Sequence, residues 1–368
     1  MEVALDVTPL LGTRTGVGRM VEHLLPVLPG VGVEVRPYAL TTRGDATTGR
    51  VPSGTRMVRF PPSVLVRAWG RGDQPRLRSA VAPGGVAVVH GTNFVAPPTG
   101  LPTVLTVHDC SFVTRPQTAR AVVRAYAPAI RRAVDRGAWV HTMASVVAAE
   151  VGELFRTDRV VVVPHGPPDL EPDQGLLPQL TGGAPYVLAV GTLEPRKNLL
   201  RLVAAFRALA TTHPDLHLVM AGGDGLDRPA LDAAVAALDP GVRARVHLPG
   251  WVPGPERTAL LRHAAVLAYP SLDEGFGLPL LEAMAVDTPV VAARAGAIPE
   301  VAGDAALLVD PDDADALAAA LAEVLDDDAR RAELVARGRR RRAEFSWEAT
   351  AAGLRSLYGR AVQEGTGR

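Results

Sequence analysis

One lysine, Lys197, stands among the 39 basic residues of the chain, in the turn Gly-Thr-Leu-Glu-Pro-Arg-Lys-Asn at 191–198 that follows an apolar run. Arginine serves everywhere else, so a retained lysine marks a place for a compact, mobile ammonium, and phosphate binding is the commonest such need. Further on, Glu274 and Glu282 frame a Gly-Phe-Gly turn, Gly275, Phe276 and Gly277, after which Leu278 and Pro279 open a helix. Proline suits a helix's first turn, and exposed amides at a helix start bind phosphate. Carboxylates accept hydrogen bonds from paired sugar hydroxyls. Phosphate and polyol on one ligand describe a nucleotide sugar, with ribose hydroxyls near the helix and hexose hydroxyls near the loop. A lysine on a solvated turn and acids capping a helix are the plainer reading, and the two glutamates around the glycines weigh against it.

Gly16 and Gly18 open a first helix and let backbone approach a phosphate. His108 ends an apolar strand beside Asp109, and His90, Asn93 and His165 hold similar strand ends. Histidine at such places serves structure more often than chemistry. No Asp/His cluster has metal-ligand spacing. Cys110, the single cysteine, excludes an internal disulfide and a cysteine-cluster metal site.

Positioning these groups takes strands that end together. Short β-branched runs alternate with Ala/Leu-rich stretches, the pattern of parallel sheets with helices on both faces. Strands are expected at 3–7, 32–38, 86–90, 103–108, 139–143 and 160–164, with helices at 17–27, 119–135 and 145–155. The second half repeats the alternation with strands at 186–190, 216–221, 245–248, 265–269, 289–293 and 306–309. Most end in glycine or a small polar residue, Gly191, Gly222-Gly223, Gly250 or Ser271, and the crevice at strand carboxyl ends is where open α/β sheets bind ligands. Five prolines between 164 and 185 read as a linker. The resulting division is 1–170, a linker at 171–185, a second domain at 186–345 and a last amphipathic helix at 346–368.

A chain of 368 residues, 47% hydrophobic, is the size of about two domains. Zero net charge argues against a nucleic-acid binder working through a general basic field. No run approaches the roughly 18 apolar residues that span a bilayer, and the N-terminus reads as a strand rather than a signal peptide. A soluble, cytoplasmic protein is expected. Arginines scattered from Arg67 to Arg78 around Trp69 could touch an anionic membrane or a lipid-phosphate acceptor, beside the reading of a solvated loop. The run 339–342, behind acidic residues 326–328, reads as a solvated helix face.

The Glu274/Glu282 motif, the 191–198 turn and Leu-Pro-Gly-Trp-Val at 248–252 together resemble the retaining GT-B glycosyltransferases of family 4. Asp-Val-Thr-Pro-Leu at 6–10, Arg-Thr-Gly-Val-Gly-Arg at 14–19 and Thr-Val-His-Asp at 106–109 extend the resemblance over nearly the whole chain. It implies an α/β, GT-B fold of two Rossmann-like domains facing a cleft, acceptor in the first and donor in the second, with the C-terminal helix crossing back to the first. A proline-rich linker between lobes implies domain closure.

The implied activity is retaining transfer of a hexose from a nucleotide-diphosphate sugar to a hydroxyl acceptor, without cofactor or metal. Glu282 would hold the donor ribose and Glu274 the transferred sugar. Amides of Gly275 to Leu278 would meet sugar and diphosphate, with Gly16, Gly18, Gly191, Gly250 and Val252 completing the donor site. Arg196 or Lys197 would neutralise the leaving nucleotide, and His108 would lie near the transferred sugar. Thr192 departs from the pattern, since many relatives place an arginine there. Retention by a covalent intermediate or by front-face substitution both remain open, the latter favoured by analogy. The 191–198 turn is most like mannosyltransferases, which makes GDP-mannose the first donor. First-domain loops at 40–80 and 111–118 would choose the acceptor. Other readings are a GT-B sugar-nucleotide epimerase or hydrolase, a sugar phosphorylase carrying pyridoxal phosphate on Lys197, and a non-catalytic nucleotide binder.

Overall fold

The structure, a computed structural model, describes residues 1–11, 16–42, 51–116, 123–167, 169–173 and 178–365. The chain divides into two compact units, Met1–Gly166 with Phe345–Arg368, and Pro167–Glu344.

The first unit carries β1 (Glu2–Asp6), β2 (Glu34–Thr41), β3 (Arg56–Arg59), β4 (Val88–Gly91), β5 (Thr103–Thr106), β6 (Trp139–Thr142) and β7 (Val160–Val162). They form one parallel sheet in the order β3-β2-β1-β4-β5-β6-β7. The second unit carries β8 (Tyr186–Val190), β9 (His217–Ala221), β10 (Val246–Gly250), β11 (Val266–Tyr269), β12 (Val290–Ala293) and β13 (Leu307–Val309). They form a parallel sheet in the order β10-β9-β8-β11-β12-β13. Strand order reverses between β1 and β4 and between β8 and β11, and a crevice opens at the carboxyl ends of such a switch point.

Central strands are buried on both faces, so they are near-continuous apolar runs; all five residues of β8 are buried. All eleven other expected strands appear, shifted by a few residues at their ends. The unexpected one is β3, an edge strand whose Arg56 and Arg59 are exposed and which therefore lacks an apolar signature. Of the helix expected at 119–135, the described part is Tyr126–Asp135 after a 3-10 turn at Val123–Ala125, while 117–122 lie outside the described residues.

The domain boundaries differ from those expected. The first unit ends at Gly166 rather than 170, and the described residues of 171–185 belong to the second unit, where Pro178–Thr181 is helical. The last helix, Trp347–Gly365, is part of the first unit, not a separate piece. Its buried residues Trp347, Ala351, Leu354, Leu357, Tyr358 and Ala361 recur every three or four positions and join Leu5, Leu24 and Val104 in one core. Burying a leucine-sized side chain contributes about 1.5–3 kcal/mol.

Polar groups lock this helix as firmly. His141 Nε2 lies 2.9 Å from Val163 O, which can only accept, so the proton is on Nε2 and Nδ1 accepts from Thr106 Oγ1 at 2.9 Å. Thr106 Oγ1 then accepts from His90 Nε2 at 2.8 Å, and His90 Nδ1 accepts from the Tyr358 hydroxyl at 2.7 Å. Every member is buried and neutral, and each bond fixes the direction of the next.

In the second unit the helix Asp328–Ala343 carries the run 339–342, read as a solvated face, and there Arg339, Arg340 and Arg342 are exposed while Arg341 is half-buried. Arg339 clasps Asp287 with Nε and Nη2 at 2.6 and 2.7 Å, and Arg341 donates from Nε to Val301 O at 2.9 Å. Arg341 is the member that ties the helix to its neighbour.

Candidate active site

At the carboxyl ends of β8 and β9 the backbones nearly touch. Gly191 sits at φ +138°, and a Cβ on Gly222 would come 1.7 Å from Gly191 O, so neither place tolerates a side chain. Gly222 N donates to Gly250 O at 2.9 Å, which ties the end of β10 to the same edge. Beyond Gly191 the chain makes a 3-10 turn, Pro195–Lys197, closed by Asn198 at φ +55°. Asn198 Nδ2 donates to Pro270 O at 3.1 Å and Pro311 O at 2.7 Å, and Leu272 N donates to Arg196 O at 2.8 Å. The lysine turn is thus fixed to the loop after β11.

That loop carries Glu274. Lys197 Nζ donates to Glu274 Oε1 at 2.5 Å and to the Tyr269 hydroxyl at 3.1 Å, while Arg196 Nη1 pairs with the same Oε1 at 2.9 Å. Arg196 Nε also lies 3.3 Å from Glu194 Oε2. Lys197 and Glu274 are buried, whereas the Arg196 side chain is 24% exposed and is the cation an arriving anion meets first. A cavity of about 10 Å³, the room of a single water, lies between Gly191, Lys197, Met220 and Ser271.

Burial alone pushes the Glu274 carboxyl up, but the charges of Arg196 and Lys197 outweigh it and hold it at about 2. Burial, helped by the neighbouring Arg196, lowers Lys197 against the pull of Glu274. Burial and then the Glu274 charge raise Tyr269 well above its ordinary value. At neutral pH the cluster holds an ionised carboxylate and a protonated phenol. Glu274 is therefore an acceptor of hydrogen bonds, not a proton donor.

After Glu274 the Gly-Phe-Gly turn leads into the helix Leu278–Ala285, with Gly277 at φ +96° as its N-cap. Gly275, Phe276 and Gly277 are buried and Leu278 half-buried, where the sequence reading expects exposed amides. Ala297 N donates to Glu274 O at 2.8 Å and braces the turn from behind. Glu282, 1% exposed, pairs with Arg257 Nη2 from the helix Gly254–His263. Val252 is half-buried past Trp251, which is 58% exposed.

The structure thus brings Arg196, Lys197 and Glu274 into direct contact against Gly191, with Gly250 one backbone bond from Gly222. Glu282 stands a helical turn away, its charge reaching Tyr269. Sequence reasoning missed Arg257, Tyr269 and Asn198. Tyr269 and Asn198 adjoin the motifs and were findable as strand-end and turn residues, whereas Arg257 had no local signal, since its partner is 25 positions away.

The remaining candidates lie in the first unit. Gly16 and Gly18 begin the helix Gly16–Val27, and 12–15 before them lie outside the described residues. His108 Nε2 is 2.8 Å from Thr92 O, so it carries the proton and leaves Nδ1 as an acceptor. Burial lowers His108, against Thr92 and the Asp109 charge. His90 has both ring nitrogens committed to the core chain, which makes it structural, and His165 is buried and stacks on Trp347 at 5.5 Å. Among the described residues no three or more His, Cys, Asp or Glu gather as a metal site, and no helix is long and apolar enough to cross a membrane.

Comparison with known proteins agrees with this division. Residues 178–341 match the family described as "Glycosyl transferases group 1", and residues 14–168 match "Glycosyltransferase Family 4". The chain is 33% identical over 275 residues to O-antigen chain mannosyltransferase B of Escherichia coli, covering 71% of each. It is 45% identical over 126 residues to MMP alpha-(1->4)-mannosyltransferase of Mycolicibacterium hassiacum, covering 33% of this chain and 31% of that protein. Among solved structures, sucrose-phosphate synthase from Thermosynechococcus elongatus superposes with a TM-score of 0.79 at 22% identity, covering 98% of each chain. At that identity the likeness is one of fold.

Proposed function

The chain belongs to the family 4 glycosyltransferases, and from that premise we propose that it moves a hexose, mannose first, from a nucleotide-diphosphate sugar to a hydroxyl acceptor with retention of configuration. The observation that carries this reading is the ionised cluster of Arg196, Lys197 and Glu274 beside the turn that starts the helix Leu278–Ala285. Breaking the bond between the anomeric carbon and the phosphate oxygen leaves negative charge on the diphosphate. Cations already in place stabilise that charge without reorganising, a single contact being worth about 3–4 kcal/mol. Glu274, ionised, would accept hydrogen bonds from the sugar, and Glu282, oriented by Arg257, from the ribose. In front-face substitution the acceptor oxygen bonds the anomeric carbon as the leaving oxygen departs, and the leaving phosphate takes the acceptor's proton. No step needs a metal or cofactor. Two mannosyltransferase relatives support mannose, and GDP-mannose is the first donor to try.

The test is thermal melting with GDP, UDP, dTDP and ADP and their sugar conjugates, in EDTA. A ligand at about a hundred times its dissociation constant stabilises by about 2.7 kcal/mol. The expected result is a shift with one nucleotide, lost in Glu282→Ala and Lys197→Ala. No shift with any of them overturns the reading.

A lipid-phosphate acceptor has support in the first unit. Beside the helix Pro62–Trp69, Phe60 and Val64 are 41% and 47% exposed, amid the exposed side chains of Arg59, Arg67, Arg71, Arg76 and Arg78. Such a surface suits the face of an anionic membrane. Retention on anionic liposomes at low salt is expected, and its absence removes the lipid acceptor while leaving the transferase intact.

A further inference from the structure

The switch point of the first sheet, between β1 and β4, holds polar groups that the donor chemistry does not use. Asp6 ends β1 and is 5% exposed. Its Oδ1 accepts from Thr8 N at 2.9 Å and from Thr8 Oγ1 at 2.5 Å, and Thr8 Oγ1 accepts in turn from Leu40 N at 2.9 Å. Among the described residues Asp6 Oδ2 has no hydrogen-bond partner and no cation offsets its charge. Burial pushes this carboxyl up, against the Thr8 bonds, to about 6. One oxygen of this carboxylate is pinned, and the other, not fully enclosed, is open to a ligand.

The neighbouring groups are built to hold a position. Thr92 Oγ1 donates to Asp6 O at 2.8 Å, joining the end of β1 to the turn after β4. In that turn Phe94 adopts φ +65°, and Gly91 has Val95 O only 2.0 Å from where a Cβ would lie. Such backbone costs about 1–3 kcal/mol and clusters at ligand sites. Phe94 stacks on Tyr126 at 5.0 Å and meets His108 edge-on at 5.4 Å. Burial and then the Asp6 charge raise the phenols of Tyr38, on β2, and Tyr126, so both face Asp6 as neutral groups. His90 on β4 pairs in register with Leu5 and stands on the other face. The groups offered here are acceptors, Asp6 Oδ2 and His108 Nδ1, beside a neutral phenol.

We propose that Asp6 Oδ2 accepts a hydrogen bond from a hydroxyl of the acceptor sugar, anchoring a neutral polyol against the Phe94–Tyr126 stack. Its place is one that composition could not single out, because only the strand order puts the end of β1 at a crevice. The proposal rests on the transferase reading. It goes beyond it by naming the residue that selects a neutral hydroxyl over a carboxylate or phosphate.

The experiment is saturation-transfer NMR of the full chain with methyl α-D-mannopyranoside as the acceptor probe, alongside nucleotide melting of the wild type. Asp6→Asn keeps Oδ1 for Thr8 and replaces only the free oxygen with a donor, so the turn is preserved. The expected result is a dissociation constant raised at least ten-fold in Asp6→Asn. In the wild type, binding should weaken below pH 6, and the residual binding of Asp6→Asn should not follow pH there. Should Asn at this position unfold the chain, Asp6→Glu, which keeps the charge but displaces it, is expected to show the same loss. Probe binding that both variants retain, or no binding by the wild type, overturns the proposal. Absence of any nucleotide shift overturns instead the donor reading beneath it.

Discussion

The two sheets share a topology and differ in how they handle charge. At the carboxyl edge of the second, Arg196, Lys197 and Glu274 are packed as ions, with Arg257 and Glu282 one helix away. Through the first runs a neutral chain, Tyr358 to His90 to Thr106 to His141 to Val163, kept neutral by burial. One fold therefore serves two tasks: preorganised charge suits a ligand that gains charge as it reacts, and neutral directed polarity holds a core in one arrangement.

Acid should separate the units most sharply. The folded pKa of His141 is lowered to about 4, and those of His90 and His165 are lowered well below the ordinary 6.5. The unfolded chain then binds more protons, so their stabilisation is complete above pH 6.5 and is lost as pH falls below it, each by up to about 1.4 kcal/mol per unit. Asp6, raised to about 6, works oppositely and offsets one of them. Glu274 is depressed from 4.5 to about 2, so its contribution is intact until pH falls below 4.5. Trp69, Trp139 and Trp347 are buried in the first unit, whereas Trp251 of the second is already 58% exposed. Tryptophan emission should shift red between pH 6.5 and 4.5 while nucleotide-induced melting shifts persist; no shift above pH 4.5 would break the contrast.

Glu274→Ala should follow in size. It leaves Lys197 buried without its counter-ion, costing about 3–5 kcal/mol of stability, and turnover should fall by about 10²–10³. Glu274→Gln with turnover near wild type would exclude that carboxylate from catalysis. Arg257→Ala removes the cation from Glu282, and a loss of about 3 kcal/mol in urea unfolding is expected, with a weaker nucleotide shift. In the first unit Tyr358→Phe removes a single donor from the histidine chain. Its cost, about 1–3 kcal/mol, should appear in tryptophan-monitored melting and leave nucleotide binding alone.

Much of this was legible in the sequence, because buried parallel strands are apolar runs and the second-unit motif is local. Lys197 and Glu274 were singled out by type and surroundings, and they touch. What escaped depended on distance or on edges. Arg56–Arg59 has no alternation to mark it as a strand. Arg257 becomes visible only when its partner far along the chain is known, and Asp6, though it heads a motif, has no assignable place until the order of strands is known. His90, read among weak functional candidates, proved to hold the core, the commoner fate of a strand-end histidine. Pro61 and Pro62, which suggest a loop, start the helix Pro62–Trp69 because proline is tolerated in a first turn.

The helix Trp347–Gly365 completes the core of a unit whose other elements were all made before residue 167. The second unit is contiguous from 167 to 344 and draws its core cluster from within that span. The first is discontinuous: its core closes only across about 180 intervening residues, so its folding carries a loop-closure cost the second is spared.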